Sequence, residues 1–218
     1  MRVLLTGTTG MVGQGVLREC LAAADVTEVV SLGRSPVGTE HPKLRSIVVA
    51  DLFDLSGVDG LAGIDACFFC LGVSSAGMSA ETYERVTHDL TLAVADALAA
   101  ASPDPTFVYV SGAGTSETSR LRWARVKGRT ERELLERFPK AYMFRPGFIQ
   151  PLHGIRSRTR LYRVLYAATG FLVPLLRRLA PGQVITTEQV GRAMLRVARA
   201  GAPKHVLTNR DIAALAAA

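Results

Sequence analysis

Cysteine is scarce in this chain: three thiols in 218 residues, an odd number. No disulfide framework can be built on them, and with no secretory signal they read as free thiols in a reducing compartment. Cys67-Phe68-Phe69-Cys70 has the spacing of a redox or metal pair, but the run reads as a strand, where residues three apart point to opposite faces and the two sulfurs cannot converge. Core cysteines are expected there, and no metal site. Long apolar runs are missing as well. Thr6 and Gly7 come straight after a short apolar run at the N-terminus, which leaves no h-region and no stop-transfer pattern, so the chain is expected in the cytoplasm. Val164 to Leu176 is apolar but too short to span a bilayer, is flanked by arginines and contains Pro174. A substrate-side cap or interface helix is expected there in preference to an element lying on a membrane surface. There is no internal repeat, no low-complexity linker and no nucleic-acid motif, so no nucleic-acid partner is expected.

Acidic residues are missing from one half only. Residues 1–118 carry 6 Lys and Arg against 14 Asp and Glu, a net charge of −8, whereas residues 119–218 carry 20 against 5, a net charge of +15. Such a split suits an anionic substrate or surface for the second half, and equally suits acidic and basic helices that face each other within the fold or across a dimer. What is present is otherwise ordinary. A chain that is 48% hydrophobic and 21% charged reads as one soluble globular domain over residues 1–218, monomeric or homodimeric, with one substantial core.

The most informative stretch is Thr6-Gly7-Thr8-Thr9-Gly10-Met11-Val12-Gly13, directly after Val3-Leu4-Leu5. A strand that stops in Gly-x-x-Gly-x-x-Gly and restarts as a helix gathers unpaired backbone N–H groups and the positive end of a helix dipole at one point, which suits a pyrophosphate. Gly7 permits the tight turn, Gly10 lets the backbone approach the phosphate and Gly13 lets the helix pack closely. Thr8 and Thr9 offer hydroxyl donors, and Met11 completes the turn at the head of the helix. Val12, Val16, Leu17, Cys20 and Leu21 then recur at helical spacing, the context this motif requires.

Further along, Glu28 to Leu32, Ile47 to Ala50, Cys67 to Leu71, Thr106 to Val110 and Ala141 to Phe144 are short apolar runs without alternation. Strands buried on both faces of a parallel sheet look like this. Helices are expected over Ala80 to Ala101, Leu121 to Phe138 and Glu188 to Ala200, and a last short strand over Lys204 to Leu207 ahead of an alanine-rich tail. Strands alternating with helices imply an α/β doubly wound parallel sheet in the order 3-2-1-4-5-6, the Rossmann arrangement. Residues 147–181 are expected to form a small cap over the substrate side.

In such a sheet the ligand lies across the carboxyl ends of the strands, so the residues just after each strand carry the chemistry. After the second comes Gly33-Arg34-Ser35. An NAD-specific site carries an acid there; Arg34 favours a 2'-phosphate and hence NADP(H) over NAD(H). After the third, Asp51-Leu52 is placed to face the adenine; after the fourth, Leu71-Gly72 lets backbone approach the ligand. After the fifth stands Ser111, with Trp123 and Lys127 on the helix beyond.

Thr6-Gly7-x-Thr9-Gly10-x-x-Gly13, Arg34, Asp51-Leu52, Ser111, Lys127-Gly128 and Arg145-Pro146-Gly147 together resemble an atypical short-chain dehydrogenase/reductase over nearly the whole chain. More narrowly, they resemble the NAD(P)-binding proteins similar to Tat-interacting protein and bacterial NAD-dependent epimerase/dehydratase proteins. The resemblance implies a Ser, Tyr and Lys at the catalytic centre, with Tyr four residues before Lys, and places Pro146 in the cofactor site. Ser111 and Lys127 match, but the tyrosine position is Trp123, and an indole N–H does not titrate usefully. The family's helical Asn falls near Thr87-His88. Lys127 is then left to bind the nicotinamide ribose, or to pair on the surface with Glu131 one turn on. If chemistry survives, His153 in the loop after the sixth strand is the candidate acid. The expected protein is an NADP(H)-binding oxidoreductase or epimerase-like enzyme acting on a small carbonyl or sugar-like substrate; the alternative is a catalytically silent NADP(H)-binding regulatory or redox-sensing protein.

Overall fold

The computed structural model describes residues 1–155 and 184–218. Its main strands are β1 (Arg2–Thr6), β2 (Glu28–Gly33), β3 (Leu44–Val48), β4 (Ala66–Phe69), β5 (Thr106–Val110) and β6 (Ala141–Arg145), then β7 (Phe148–Gln150), β8 (Val184–Thr186) and β9 (Val206–Thr208). Seven of them form one parallel sheet in the order β3-β2-β1-β4-β5-β6-β9. The doubly wound order expected from sequence is therefore present, extended by one strand beyond β6.

Period-two alternation divides the core into two layers. Val3, Leu5 and Phe68 point to one face, where they pack with Val16 and Leu17 of α1 (Met11–Ala22), Val190 and Met194 of the late helix Thr187–Ala200, and Ile212. Leu4, Cys67 and Phe69 point to the other and meet Val94 and Leu98 of the helix Leu90–Ala101 and Leu134 of the helix Arg122–Arg137. Cys67 thus lies on the face opposite Cys20 and Cys70. Burial pushes all three thiols far above the usual thiol range.

In chain order the remaining helices are α2 (Ala80–Glu84), a π-helical turn at Arg85–Asp89, α3 (Leu90–Ala101), α4 (Arg122–Arg137), α5 (Thr187–Ala200) and α6 (Asn209–Ala217). Thr186 and Gln189 form a capping box at the start of α5, and Thr208 and Asp211 do the same for α6, so the alanine-rich tail is a helix with a defined start.

Several elements differ from expectation. The third strand is Leu44–Val48, not Ile47 to Ala50, and it is not buried on both faces. Among the described residues it pairs only with β2, at the sheet edge, so Arg45, Ser46 and Val48 meet solvent, Val48 at 51% exposure. The expected helix Ala80 to Ala101 contains the π turn, which shifts its register midway. The parallel pair β7–β8 was not anticipated. The expected cap over 147–181, including Val164 to Leu176, lies outside the described residues from position 156 onward. Among the described residues no helix is long and apolar enough to cross a membrane.

Candidate active site

Gly7 ends β1 with φ +71°, the left-handed region that glycine enters without strain. A β-carbon added to it would lie 2.6 Å from the Cys70 carbonyl and the Leu71 nitrogen, and one added to Gly13 would lie 2.1 Å from the Gly7 oxygen. Chain closure at this turn therefore demands glycine at both positions. Gly10 differs: a β-carbon there would approach only the Gly7 oxygen, at 3.2 Å. Gly10 caps α1 without a side-chain hydrogen bond and no acidic residue sits in the first turn, so the leading N–H groups of α1 stand uncapped at the mouth of a cavity.

That cavity, of about 660 Å³, runs across the carboxyl ends of β1, β2, β4 and β5. Gly7, Thr8, Thr9, Gly10, Met11, Arg34, Asp51, Leu52, Leu71, Gly72, Ser111, Lys127 and Pro146 all line it. Thirteen residues singled out from sequence, spread over 140 positions, thus converge on one space. Arg34 is exposed and makes no ion pair with the described residues. Asp51 accepts a hydrogen bond from the Phe53 backbone nitrogen at 2.9 Å, which folds it into its own turn, and the Arg85 guanidinium sits 4.9 Å above the Phe53 ring. Phe53, Val86, Leu90 and Ile149 also line the cavity and were not picked out from sequence as site residues: Val86 and Leu90 carry the apolar period of the expected helix and read as core, and Phe53 and Ile149, on a loop and a three-residue strand, carry no periodic signal.

At the far end Ser111 is buried, and its hydroxyl donates to the Phe144 carbonyl at 3.1 Å. The proton is thereby turned away and a lone pair is left. Lys127 Nζ donates to the Ser111 carbonyl oxygen at 2.5 Å. It does not pair with Glu131, as a surface lysine would. Glu131, only 3% exposed, is held by Arg145 through Nε at 3.0 Å and Nη2 at 2.5 Å. With that carboxylate engaged, burial dominates and pushes the Lys127 amine down to about 8.

Three expectations are corrected, at Trp123, His153 and Thr8. Trp123 does not line the cavity; its six-membered ring lies against the loop after β5, with Cη2 3.6 Å from a β-carbon position on Gly114. His153 does not line it either. Its Nε2 is 3.0 Å from Glu188 Oε2, which holds it on the start of α5, and that hydrogen bond holds the Glu188 carboxyl below its usual range. Gly13 has the close-packing role expected of it: it is packed on Gly7 behind the turn and does not itself line the cavity wall. The Thr8 hydroxyl is not a free donor: it is buried and bonded to the Ser31 hydroxyl at 2.9 Å. Thr87 and His88, at the position of the family's asparagine, are buried away from the cavity, and His88 is fixed between Asp89 and Glu133 at 2.7 and 3.1 Å.

A doubly wound parallel sheet whose first strand ends in a three-glycine turn beneath such a cavity is the architecture of dinucleotide-binding α/β proteins. Within that class, the chain belongs to the NAD dependent epimerase/dehydratase family, whose model matches residues 3–119. It is similar to the mitochondrial protein FMP52 of Eremothecium gossypii, 32% identical over 151 residues, covering 68% of this chain and 66% of that protein. It is also similar to HTATIP2 of Rattus norvegicus, 29% identical over 152 residues, covering 67% of this chain and 62% of that protein. The matched region thus spans slightly less than two thirds of these curated relatives. Among solved structures the fold is similar to the Bordetella bronchiseptica enzyme WbmF in complex with NAD+, with a TM-score of 0.69 at 17% identity over 99% of this chain and 76% of that one. MoeE5 in complex with UDP-glucuronic acid and NAD gives 0.67 at 19% identity over 95% and 76%.

Proposed function

We propose that this protein is an oxidoreductase of the atypical short-chain dehydrogenase/reductase type that takes NADP(H) in preference to NAD(H) and acts on a small carbonyl or sugar-like substrate. The observation that carries this reading is the convergence of the glycine turn, Arg34, Ser111 and Lys127 on one cavity. The turn suits a pyrophosphate: Gly10 leaves the approach open, and the uncapped N–H groups at Met11 and Val12 present donors and a positive dipole end. Arg34 would hold the 2'-phosphate, since no carboxylate lies between Val29 and Ser35 to accept a ribose hydroxyl. Asp51 and Leu52 would border the adenine. Ser111 would accept or orient the substrate oxygen's hydrogen bonds, and Lys127 would reach the nicotinamide ribose. The dinucleotide, when bound, supplies hydride transfer; orientation and proton handling fall to the chain. The ligands in the WbmF and MoeE5 structures, NAD+ and UDP-glucuronic acid, are of the chemical classes such a cavity would take.

Calorimetry with NADPH and NADH tests the cofactor assignment. NADPH should bind at least about tenfold tighter, a difference of about 1.4 kcal/mol for one charge-assisted contact, and Arg34→Ala should erase the difference. Equal affinities in the wild type would refute it. A second reading, a cofactor-binding regulator without turnover, is favoured by one feature: Trp123 at the tyrosine position. It is preferred if NADPH binds tightly and no member of a carbonyl panel oxidises it.

A further inference from the structure

We infer that Lys127 is itself the proton donor and acceptor at the substrate oxygen, in the role for which the family uses a tyrosine. The inference rests on the proposed function and concerns which group of this chain completes it.

The first support is elimination by geometry. Among the described residues, four titratable side chains line the cavity: Arg34 beyond β2, Asp51 beyond β3, Cys70 beyond β4, and Lys127. Only Lys127 lies at the Ser111 end. The other candidates are committed elsewhere. Ser111 spends its proton on the Phe144 carbonyl. Trp123 is turned onto the loop at Gly112 and Gly114, and its indole does not exchange protons usefully in any case. His153 is bound to Glu188.

The second support is what surrounds the amine. From β5 it meets the Ser111 carbonyl. From its own helix the nearest charge is Glu131, whose carboxylate is engaged by Arg145 at the end of β6. Val86 and Leu90 on the π turn and α3, and Pro146 and Ile149 beyond β6, which line the same cavity, are apolar. Such surroundings favour the neutral amine and bring its titration from the ordinary lysine range to about 8, close to where a general acid works best near neutrality.

The proton balance is simple in the reductive direction. As the carbonyl carbon accepts a hydride from the reduced nicotinamide, its oxygen takes the electron pair of the C=O π bond and a proton from Lys127 Nζ. The N–H bond breaks, the amine is left neutral, and water reprotonates it. The cofactor is oxidised and the carbonyl reduced to an alcohol; oxidation runs the same transfers backward.

The chain has only four lysines, Lys43, Lys127, Lys140 and Lys204, so protein labelled with carbon-13 at lysine Cε gives four signals, and Lys127→Arg identifies one. The Lys127 signal should titrate with a midpoint near pH 8. NADPH oxidation with 9,10-phenanthrenequinone should fall as pH rises through that midpoint. Lys127→Arg, which keeps the charge but holds its proton, should still bind NADPH yet lose about 10²- to 10⁴-fold in rate at saturating cofactor; Lys127→Gln serves as the second variant if the arginine does not fold. A Lys127 midpoint above 10, or an arginine variant with the wild-type rate, overturns the inference while leaving the cofactor assignment intact. Failure of the wild type to bind NADPH overturns the proposed function, and this inference with it.

Discussion

Glu131 and Arg145 close on each other where α4 meets the end of β6, with two guanidinium nitrogens on the two carboxylate oxygens, and Lys127, one turn earlier on α4, turns instead to the carbonyl of Ser111. Burial chiefly sets the state of that amine, against the opposing pull of the Glu131 carboxylate, which is held by the ion pair. Its two ends differ in exposure, 3% for the Glu131 side chain and 30% for that of Arg145, and this makes the pair asymmetric to mutation. Arg145→Met strands a buried carboxylate and should cost about 3–5 kcal/mol. Glu131→Gln leaves an arginine that reaches water and an amide that still accepts a hydrogen bond, and should cost about 1–2 kcal/mol. Urea unfolding of the two variants checks the order; equal losses would mean the pair is more open to solvent than its geometry indicates.

The glycines of the turn should separate folding from binding. Gly13→Ala places a β-carbon 2.1 Å from the Gly7 oxygen, which α1 can relieve only by moving off β1, so this variant should lose about 3 kcal/mol or more of stability. At Gly10 an added β-carbon approaches only the Gly7 oxygen, at 3.2 Å, and the valine of Gly10→Val fills the approach to the uncapped N–H groups. The variant should keep a native circular dichroism spectrum and lose NADPH binding by at least about a hundredfold, some 2.7 kcal/mol. Retained affinity in that variant would show that the phosphates do not use this loop.

Much of this arrangement was legible because its signals are local. Short runs such as Val3 to Leu5 and Thr106 to Val110 declare strands buried on both faces, and Gly7, Gly10 and Gly13 sit in the one context that gives their spacing meaning. The edge position of β3 was not legible, because Ile47-Val48-Val49 looks the same whether one neighbour or two will cover it. Side-chain direction was less legible still. Thr8 spends its hydroxyl on Ser31, 23 positions away, and Glu131 prefers Arg145 to Lys127; neither choice can be read from spacing along one helix, since the competing partner arrives through the sheet. The π turn at Arg85–Asp89, which brings Val86 and Leu90 to the cavity wall, has no compositional mark at all.

His153 should prove structural. Its contact with Glu188 is a partly exposed pair on the first turn of α5, beside Arg18 and Arg192, and such pairs contribute under about 1 kcal/mol. The Glu188 carboxyl is held below its ordinary range by His153 first and by Arg192 and Arg18. Its contribution is therefore present above the ordinary glutamate titration near pH 4.3 and fades as pH falls through the lowered one. His153→Ala should shift the thermal midpoint by no more than a few degrees, flatten that acid-side loss, and leave NADPH oxidation within about twofold of wild type. A drop of a hundredfold would restore the histidine as a catalytic acid.

Trp123 is the residue on which the two routes for the proton part company. The position lies one turn before Lys127 on α4, where the family's tyrosine stands, but the indole packs on the loop at Gly112 and Gly114 and not on the cavity wall. Trp123→Tyr therefore exchanges one ring for a smaller one against that loop and should cost about 1 kcal/mol in lost contact. If Lys127 moves the proton, the new phenol adds nothing to the reaction, and NADPH oxidation with 9,10-phenanthrenequinone should change by less than about threefold, with the same fall in rate above pH 8. If the phenol instead swings toward Ser111 and takes up the tyrosine's role, the rate should rise by about 10²- to 10⁴-fold, and the alkaline fall should move with the phenol and no longer follow the Lys127 signal. That rise would return the proton to position 123 and reduce Lys127 to a charge that holds the cofactor.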